Sequence, residues 1–358
     1  MKAILILEDG TEFIGEAFGA GGTSIGEIVF NTEMVGYQEI ITDPSSSGQI
    51  ITMTYPLVGN YGVNQLDLLS EKPHVKGLVV RELCDEPSNW SAIGTLDGYL
   101  KKYNIPGIQG IDTRALTSIL REKGSMNCIL STSPESILNG KESWLENIRN
   151  YKPVFDVANK KTVHHEGTSY RIALVDYGAN RNIIDLLKSK NCDIYVVPAN
   201  AKADEILAVN PDGIVLSNGP GNPKDYQYQV DVIKDLLGKK PIMGISLGHQ
   251  LVALACGGDT EKLKHGHRGA NHPVKDVEKD RTYITVQNHG YVVRKESLHP
   301  DKAVITHINL NDNTVEGMRY RGIPAITVQF CPEALYGHIN TGYIFEEFIS
   351  MMEKQKSN

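Results

Sequence analysis

From Arg171 onward the chain alternates apolar strands with amphipathic helices, and the alternation culminates in one turn that constrains the fold around it. Residues 241–245 read as a short buried strand. Residues 247–256 read as a helix with Leu251, Leu254 and Ala255 on one face and Gly257 stopping it. Ser246 stands between the two, flanked by Gly244 and Gly248. Gly-Ile-Ser-Leu-Gly between a strand and a helix has the layout of a nucleophile elbow. A sharp turn holds one side chain above the sheet, and small neighbours keep it from clashing. The first N–H groups of the helix then face whatever that side chain attacks. The competing reading is a tight turn around a buried serine.

Strands over 172–177, 192–198 and 213–217 precede the elbow, with helices marked by Ile183, Ile184 and Leu187 and at about 202–209 and 225–237. Such alternation predicts a mostly parallel sheet with helices on both faces. Ligands bind such sheets at the carboxyl ends of the strands. Three loops fall there: Asn180-Arg181, residues 218–222 and the elbow. In Ser217-Asn218-Gly219-Pro220-Gly221 the glycines let backbone approach a ligand, and a free N–H there suits an oxyanion. The alternative is an ordinary turn. Beyond Gly258 the pattern becomes β-rich, with runs near 283–287, 303–308 and 325–330, and a helix at about 341–353 closes it. Cys331-Pro332-Glu333 ends the last run; it either carries a carboxylate that orients a group at 331 or is a strand end stopped by proline. Residues 287–291 read as a pocket wall or a hairpin turn. His265, His267 and His272 share no regular spacing with a carboxylate or cysteine, so they read as loop histidines and no metal site is expected.

The first half reads as mixed α+β structure. A hairpin turning on Asp9-Gly10 opens it, and strands near 27–31, 49–54 and 77–81 follow. Ile93, Leu96, Leu100 and Tyr103 have helical spacing, and Asp112 is placed to cap a helix ending at Gly124. The glycines between Gly19 and Gly26 complete no dinucleotide-binding fingerprint. The expected organisation is an N-terminal α+β domain over 1–132, a linker region over 133–170 that includes His164-His165, and an α/β domain over 171–358.

The 358 residues suffice for two domains, and a formal charge of −7 argues against a nucleic-acid groove or an anionic membrane surface. Five scattered cysteines without a Cys-x-x-Cys fit reduced thiols. The apolar run at the N-terminus breaks at Glu8-Asp9, too soon for a signal peptide or membrane span. A cytoplasmic location is the expectation.

Together these stretches resemble the class I glutamine amidotransferases and, more narrowly, the small subunit of carbamoyl-phosphate synthetase. In the first half the resemblance rests on Phe30-Asn31-Thr32-Glu33-Met34-Val35-Gly36-Tyr37-Gln38-Glu39-Ile40, Thr42-Asp43-Pro44-Ser45, residues 54–60 and residues 110–114. In the second it rests on residues 217–221, 244–250, 269–274 and 287–290. The resemblance implies glutamine hydrolysis through a cysteine thioester. Ammonia would then pass to a large partner that uses ATP, magnesium and bicarbonate to make carbamoyl phosphate for pyrimidine and arginine synthesis. It implies no cofactor on this chain. Carried over residue by residue, the glutamine-binding positions are Ser45, Gly219, Gly221, Leu247, Gln250, Asn288, Gly290 and Tyr291, and the catalytic positions are Ser246, Cys331 and Glu333.

Two of those three depart from the family. The nucleophile position, normally cysteine, is Ser246, and the base position, normally histidine, is Cys331. A serine hydroxyl attacks an amide only when a base takes its proton, and a neutral thiol is a weak acceptor. The expected glutaminase step is therefore impaired. Alternatives are an ammonia-dependent or regulatory subunit, an engineered inactive variant, or a serine hydrolase drawing on Asp276 and His307. His249 and His338 are near in sequence, but neither occupies the base position.

Overall fold

Asp9-Gly10 turns the chain as expected. In the computed structural model Gly10 takes φ +89°, Thr11 N–H donates to Asp9 Oδ1 at 2.9 Å, and strand β1 (Lys2–Leu7) pairs antiparallel with β2 (Glu12–Gly19). The structure describes residues 1–133, 151–333 and 341–357. It divides into two units: Met1–Pro153 with Lys264–Gly269, and Val154–Leu263 with Ala270–Asn358.

The first unit continues through β3 (Thr23–Asn31), α1 (Tyr37–Thr42), β4 (Gln49–Met53), β5 (Leu57–Val58), β6 (Gly77–Val79), β7 (Glu82–Leu83), α2 (Leu96–Lys102), β8 (Pro106–Gln109), α3 (Thr113–Lys123) and β9 (Met126–Ser131). Seven strands close into a barrel in the order β1-β2-β8-β6-β4-β3-β9, with β1 and β9 antiparallel. Alternation fills it: Ala3, Leu5 and Leu7 point inward onto Ile28, Ile50, Val79, Ile108 and Leu130. Helix α3 starts where the sequence predicts, with Ala115 N–H donating to Asp112 Oδ1 at 2.9 Å, and buries Leu116 and Leu120 on the barrel. Helix α2 is shorter than its apolar spacing suggests. Thr95 Oγ1 caps it by accepting from Gly98 N–H at 3.0 Å, which leaves Ile93 outside and exposed.

The second unit runs α4 (Val154–Val157), β10 (Val163–His165), β11 (Arg171–Asp176), α5 (Arg181–Ser189), β12 (Asp193–Pro198), α6 (Ala203–Ala208), β13 (Gly213–Leu216), α7 (Gln227–Leu236), β14 (Ile242–Ile245), α8 (Leu247–Ala255), β15 (Thr260–Asp276), β16 (Arg281–Val293), β17 (Ala303–Asn309), β18 (Val315–Tyr320), β19 (Ala325–Val328) and α9 (Tyr343–Ser357). Its strands form one sheet in the order β10-β12-β11-β13-β14-β19-β18-β17-β15-β16. The five strands from β12 to β19 in that order are parallel. Strand β10 adds antiparallel at one end, and β18 and β17 extend the other. Helices α6, α7 and α8 cover one face through Ile206, Val230, Ile233 and Leu251. Helices α5 and α9 cover the other through Ile183, Leu187, Phe345 and Phe348. This is the α/β architecture the alternation predicts.

Three local expectations are corrected. Residues 154–157 and 163–165, assigned to a linker, are helix and strand of the second unit. His164 and His165 lie on the edge strand β10, where His164 Nε2 sits 2.6 Å from Asp193 Oδ1 and its ring stacks on Tyr195. An edge strand with one wet face accepts such polar residues. His265, His267 and His272 are not in a loop but in β15, and residues 287–291 form no turn but lie inside β16. Gly266 and Gly269, at φ +72° and +154°, absorb irregularities that read as loop in sequence. The remainder of the expected linker, 134–150, and His338 lie outside the described residues.

Candidate functional site

The elbow forms because two glycines remove steric obstacles. A Cβ on Gly248 would lie 2.2 Å from the Leu216 carbonyl oxygen, and one on Gly244 would lie 2.9 Å from Gly248 backbone. Ser246 itself takes φ +50° and ψ −102°, a conformation side chains rarely adopt. It is held there by Ser246 N–H donating to Val328 O at 2.8 Å, Gly248 N–H to Ser217 O at 3.1 Å and Gln250 N–H to Ser246 O at 3.1 Å. Leu247 opens helix α8, so its N–H has no intrahelical acceptor. The loop after β13 reaches the same place. A Cβ on Gly219 would meet the Tyr177 carbonyl at 2.3 Å and Leu247 Cδ2 at 3.0 Å, and Gly221 takes φ +97°. Glycine is needed at both positions, in keeping with a loop whose backbone is presented to a ligand.

The Ser246 hydroxyl meets the end of a chain of two side-chain amides. Gln250 Nε2 donates to Tyr291 O at 2.7 Å and to Gln329 Oε1 at 2.9 Å. Since the Gln329 oxygen is an acceptor there, its Nε2 faces Ser246 Oγ, at 3.4 Å. The serine oxygen thus accepts a hydrogen bond, and among the described residues no imidazole or carboxylate hydrogen-bonds it. Gln250 and Tyr291, named from the resemblance, are joined to the elbow in this way. Asn288 and Gly290 lie beside Tyr291 on β16. Ser45 lies in the first unit, in a turn capped by Asp43 Oδ1, which accepts from Ser45 N–H at 2.8 Å.

Glu333 is buried, and Asn180 Nδ2 donates to its Oε1 at 2.5 Å. Asn180 also caps α5, its Oδ1 accepting from Ile183 N–H at 3.2 Å, and its own N–H donates to Asn218 Oδ1 at 3.2 Å. The cap fixes which end of the amide faces the carboxylate. Asn180 and Gln329 are the residues whose roles sequence reasoning missed. Asn180 had a signal, an Asx cap at a strand end on the ligand-binding side; Gln329 had none, because its contact depends on a rotamer. Cys331 is half-buried, and its N–H donates to Val286 O at 3.0 Å.

Neither His249 nor His307 hydrogen-bonds the Ser246 hydroxyl. His249 Nδ1 pairs with Thr327 Oγ1 at 2.8 Å. Burial, helped by His307, drives its pKa down to about 3, so it stays neutral. Asp276 and His307 do come together, but around Tyr343. The tyrosine hydroxyl donates to Asp276 Oδ2 at 2.8 Å, so it accepts from His307 Nε2–H at 2.7 Å. The Thr306 hydroxyl then donates to Nδ1 at 2.9 Å. Both ring nitrogens are occupied, and neither contacts Ser246.

Family models match both halves of the chain. Residues 5–130 match the carbamoyl-phosphate synthase small chain, CPSase domain, and residues 173–351 match glutamine amidotransferase class-I. The chain is 52% identical over 355 residues to the carbamoyl phosphate synthase small chain of Listeria monocytogenes serotype 4b (strain F2365), covering 98% of this chain and 97% of that one. The chain belongs to the carbamoyl-phosphate synthase small-chain family. Another relative, the pyrimidine-specific small chain of Bacillus subtilis (strain 168), is 49% identical over 353 residues, 99% of this chain and 96% of that one. Membership in this small-chain family gives the two units their separate places: a barrel-bearing CPSase domain, then an amidotransferase domain carrying the elbow. Among the described residues no helix is long and apolar enough to cross a membrane.

Proposed function

We propose that this chain is the glutamine-binding small chain of a two-chain carbamoyl-phosphate synthase and that its own glutamine hydrolysis is impaired. The large chain would use ATP and magnesium, take ammonia and make carbamoyl phosphate, and no cofactor is assigned to this chain. Pyrimidine and arginine synthesis are the two uses of that product, and a cytoplasmic setting fits five free cysteines. The observation that carries the reading is the hydroxyl of Ser246. It sits on a strained elbow, where a nucleophile belongs, with an amide from Gln329 as its hydrogen-bond partner, while Cys331 fills the position of the base. Serine needs a proton acceptor in the transition state, and loss of triad members costs about 10⁴–10⁶ in rate.

Glutamine recognition depends on other groups. Gly219, Gly221, Leu247, Gln250, Asn288, Gly290 and Tyr291 are present, and Ser246 and Cys331 add no charge that binding must desolvate. Two measurements on the chain with its large partner test this: calorimetric titration with glutamine, and glutamate release. Binding at millimolar glutamine with little release supports the reading. Release at a rate typical of enzymes, about 1–10³ per second, would refute it.

A further inference from the structure

A cavity of about 390 Å³ lies in the second unit at the C-terminal end of α8, the helix whose other end carries Ser246. Leu237, Ala255 and Ile323 give it an apolar wall, and the exposed Lys302 and Arg321 line it beside them. The lining contains no carboxylate, and none of its residues belongs to the elbow or to the glutamine-binding set.

Backbone holds both cations in place. Lys302 Nζ donates to Cys256 O at 3.3 Å, and a Cβ on Gly257 would lie 3.6 Å from that nitrogen. Arg321 Nε donates to Pro300 O at 3.1 Å, and Arg321 N–H donates to Lys302 O at 2.7 Å. That last bond continues the antiparallel pairing of β17 with β18, in which Ala303 faces Tyr320. One step on, Lys302 and Arg321 stand opposite each other. Like charges set opposite across a strand pair are destabilising.

Nothing in the chain offsets them. Among the described residues neither cation makes an ion pair, and the acids beside them in sequence are paired with other groups. Asp301 lies 3.4 Å from His299, and Asp259 lies 2.6 Å from Lys224 and 3.4 Å from Arg294. Lys302 has a structural use, because a cation suits the C-terminal end of a helix. Arg321 has no such use. Among the described residues its two terminal nitrogens meet no acceptor, so a planar fork of donors is left facing outward.

We propose that this cavity binds a small organic anion with an apolar body, either a carboxylate or a phosphate ester. The anionic head lies between Arg321 and Lys302, where it removes their repulsion and accepts from the guanidinium fork. The body lies against Leu237, Ala255 and Ile323. The volume falls within the usual range for small-molecule sites, about 300–1,000 Å³. An inorganic ion would leave the apolar wall in water, and an uncharged apolar molecule would leave the two cations opposed.

The test uses the full chain and anilinonaphthalene sulfonate, an aromatic anion whose emission rises in apolar surroundings. Cys256 lines the cavity and is half-buried, so its alkylation by iodoacetamide, followed by mass spectrometry, reports occupancy of this site. The probe should slow alkylation of Cys256 several-fold and leave Cys84, in the first unit, unchanged. Arg321→Gln and Lys302→Gln alter exposed side chains and should fold normally. Each should weaken the protection of Cys256 by about 10-fold or more in probe concentration, the loss of one charged hydrogen bond. N-phenylnaphthylamine, the uncharged counterpart, should protect poorly. Octanoate and octyl phosphate should displace the probe, and the stronger of the two names the head group. Protection that survives both substitutions, or equal protection by the uncharged compound, would overturn the anion site. So would a rise in emission without protection of Cys256, failure of both octyl compounds to compete, or no binding of the probe at all.

Discussion

Strain at the elbow is open to direct measurement. A side chain at φ +50° and ψ −102° costs about 1–3 kcal/mol relative to a relaxed backbone. Glycine escapes that cost but loses more conformational freedom on folding, about 0.5–1 kcal/mol. Ser246→Ala keeps the strain, and Ser246→Gly removes it. Both lose the long 3.4 Å contact from Gln329, so that contribution cancels between them. The glycine variant should therefore be more stable than the alanine variant by about 0.5–2 kcal/mol, the difference of the two effects. Urea denaturation followed by far-ultraviolet circular dichroism gives the comparison, and thermal melts should differ by a few degrees in the same sense. If the glycine variant is equal to or less stable than the alanine variant, the elbow stores no strain, and the claim that the fold forces this side chain into position fails.

Other outcomes follow from the same geometry. Ser246→Cys and Cys331→His should each restore little glutamate release. The double variant should exceed the product of the single gains by orders of magnitude, because thiol, imidazole and carboxylate act as a unit; simple multiplicativity in the glutamate assay would contradict this. Asn180→Ala removes a helix cap and a donor to a buried carboxylate, so it should destabilise by about 2–4 kcal/mol in urea. Asn180→Asp keeps the cap but sets a second carboxylate at the 2.5 Å contact with Glu333, so its deficit should shrink as pH falls; a deficit flat in pH would rule out that contact. In the first unit, burial pushes the Glu33 carboxyl up from 4.5 to about 8, with Glu39 and Asp43 adding to it. The folded state then holds a proton that the unfolded chain has released, so this group's contribution is full below about pH 4.5 and is lost as pH rises through 8. Because Glu33 is only half-buried, Glu33→Gln should gain about 1–2 kcal/mol over the unsubstituted chain at pH 9 and nothing at pH 4. A gain that does not change with pH would show that the carboxyl titrates normally.

Much of this was legible in the sequence because it rests on local rules. The Asp9-Gly10 hairpin, the Asp112 cap and the strand-Ser246-helix turn each depend on a few neighbouring residues, and each is found where its residues predict it. Barrel closure was not legible, because β1 and β9 pair across more than a hundred residues and nothing in residues 126–131 names a partner. Strands β15 and β16 were obscured by their glycines and histidines, which sequence rules assign to loops. At the site, the glycines at 219, 244 and 248 could be read as a need for close approach. The bonds from Asn180 to Glu333 and from Gln329 to Ser246 could not, since each joins side chains from different elements.

The strand order of the second unit has a consequence for synthesis on the ribosome. Strand β19 is made late, at residues 325–328, yet it sits mid-sheet between β14 and β18. Until it emerges, β14 presents an open edge, and the two halves of the sheet have no seam to join along. The barrel strands, by contrast, are complete once β9 has left the exit tunnel. At typical elongation rates the interval between these events is roughly 10–40 s. Through that time a barrel whose strands are all made is tethered to a nascent sheet that lacks its joining strand, and the apolar strands of the second unit are left without their partners. A stall or premature stop anywhere between β9 and β19 therefore leaves an aggregation-prone chain rather than a smaller working one.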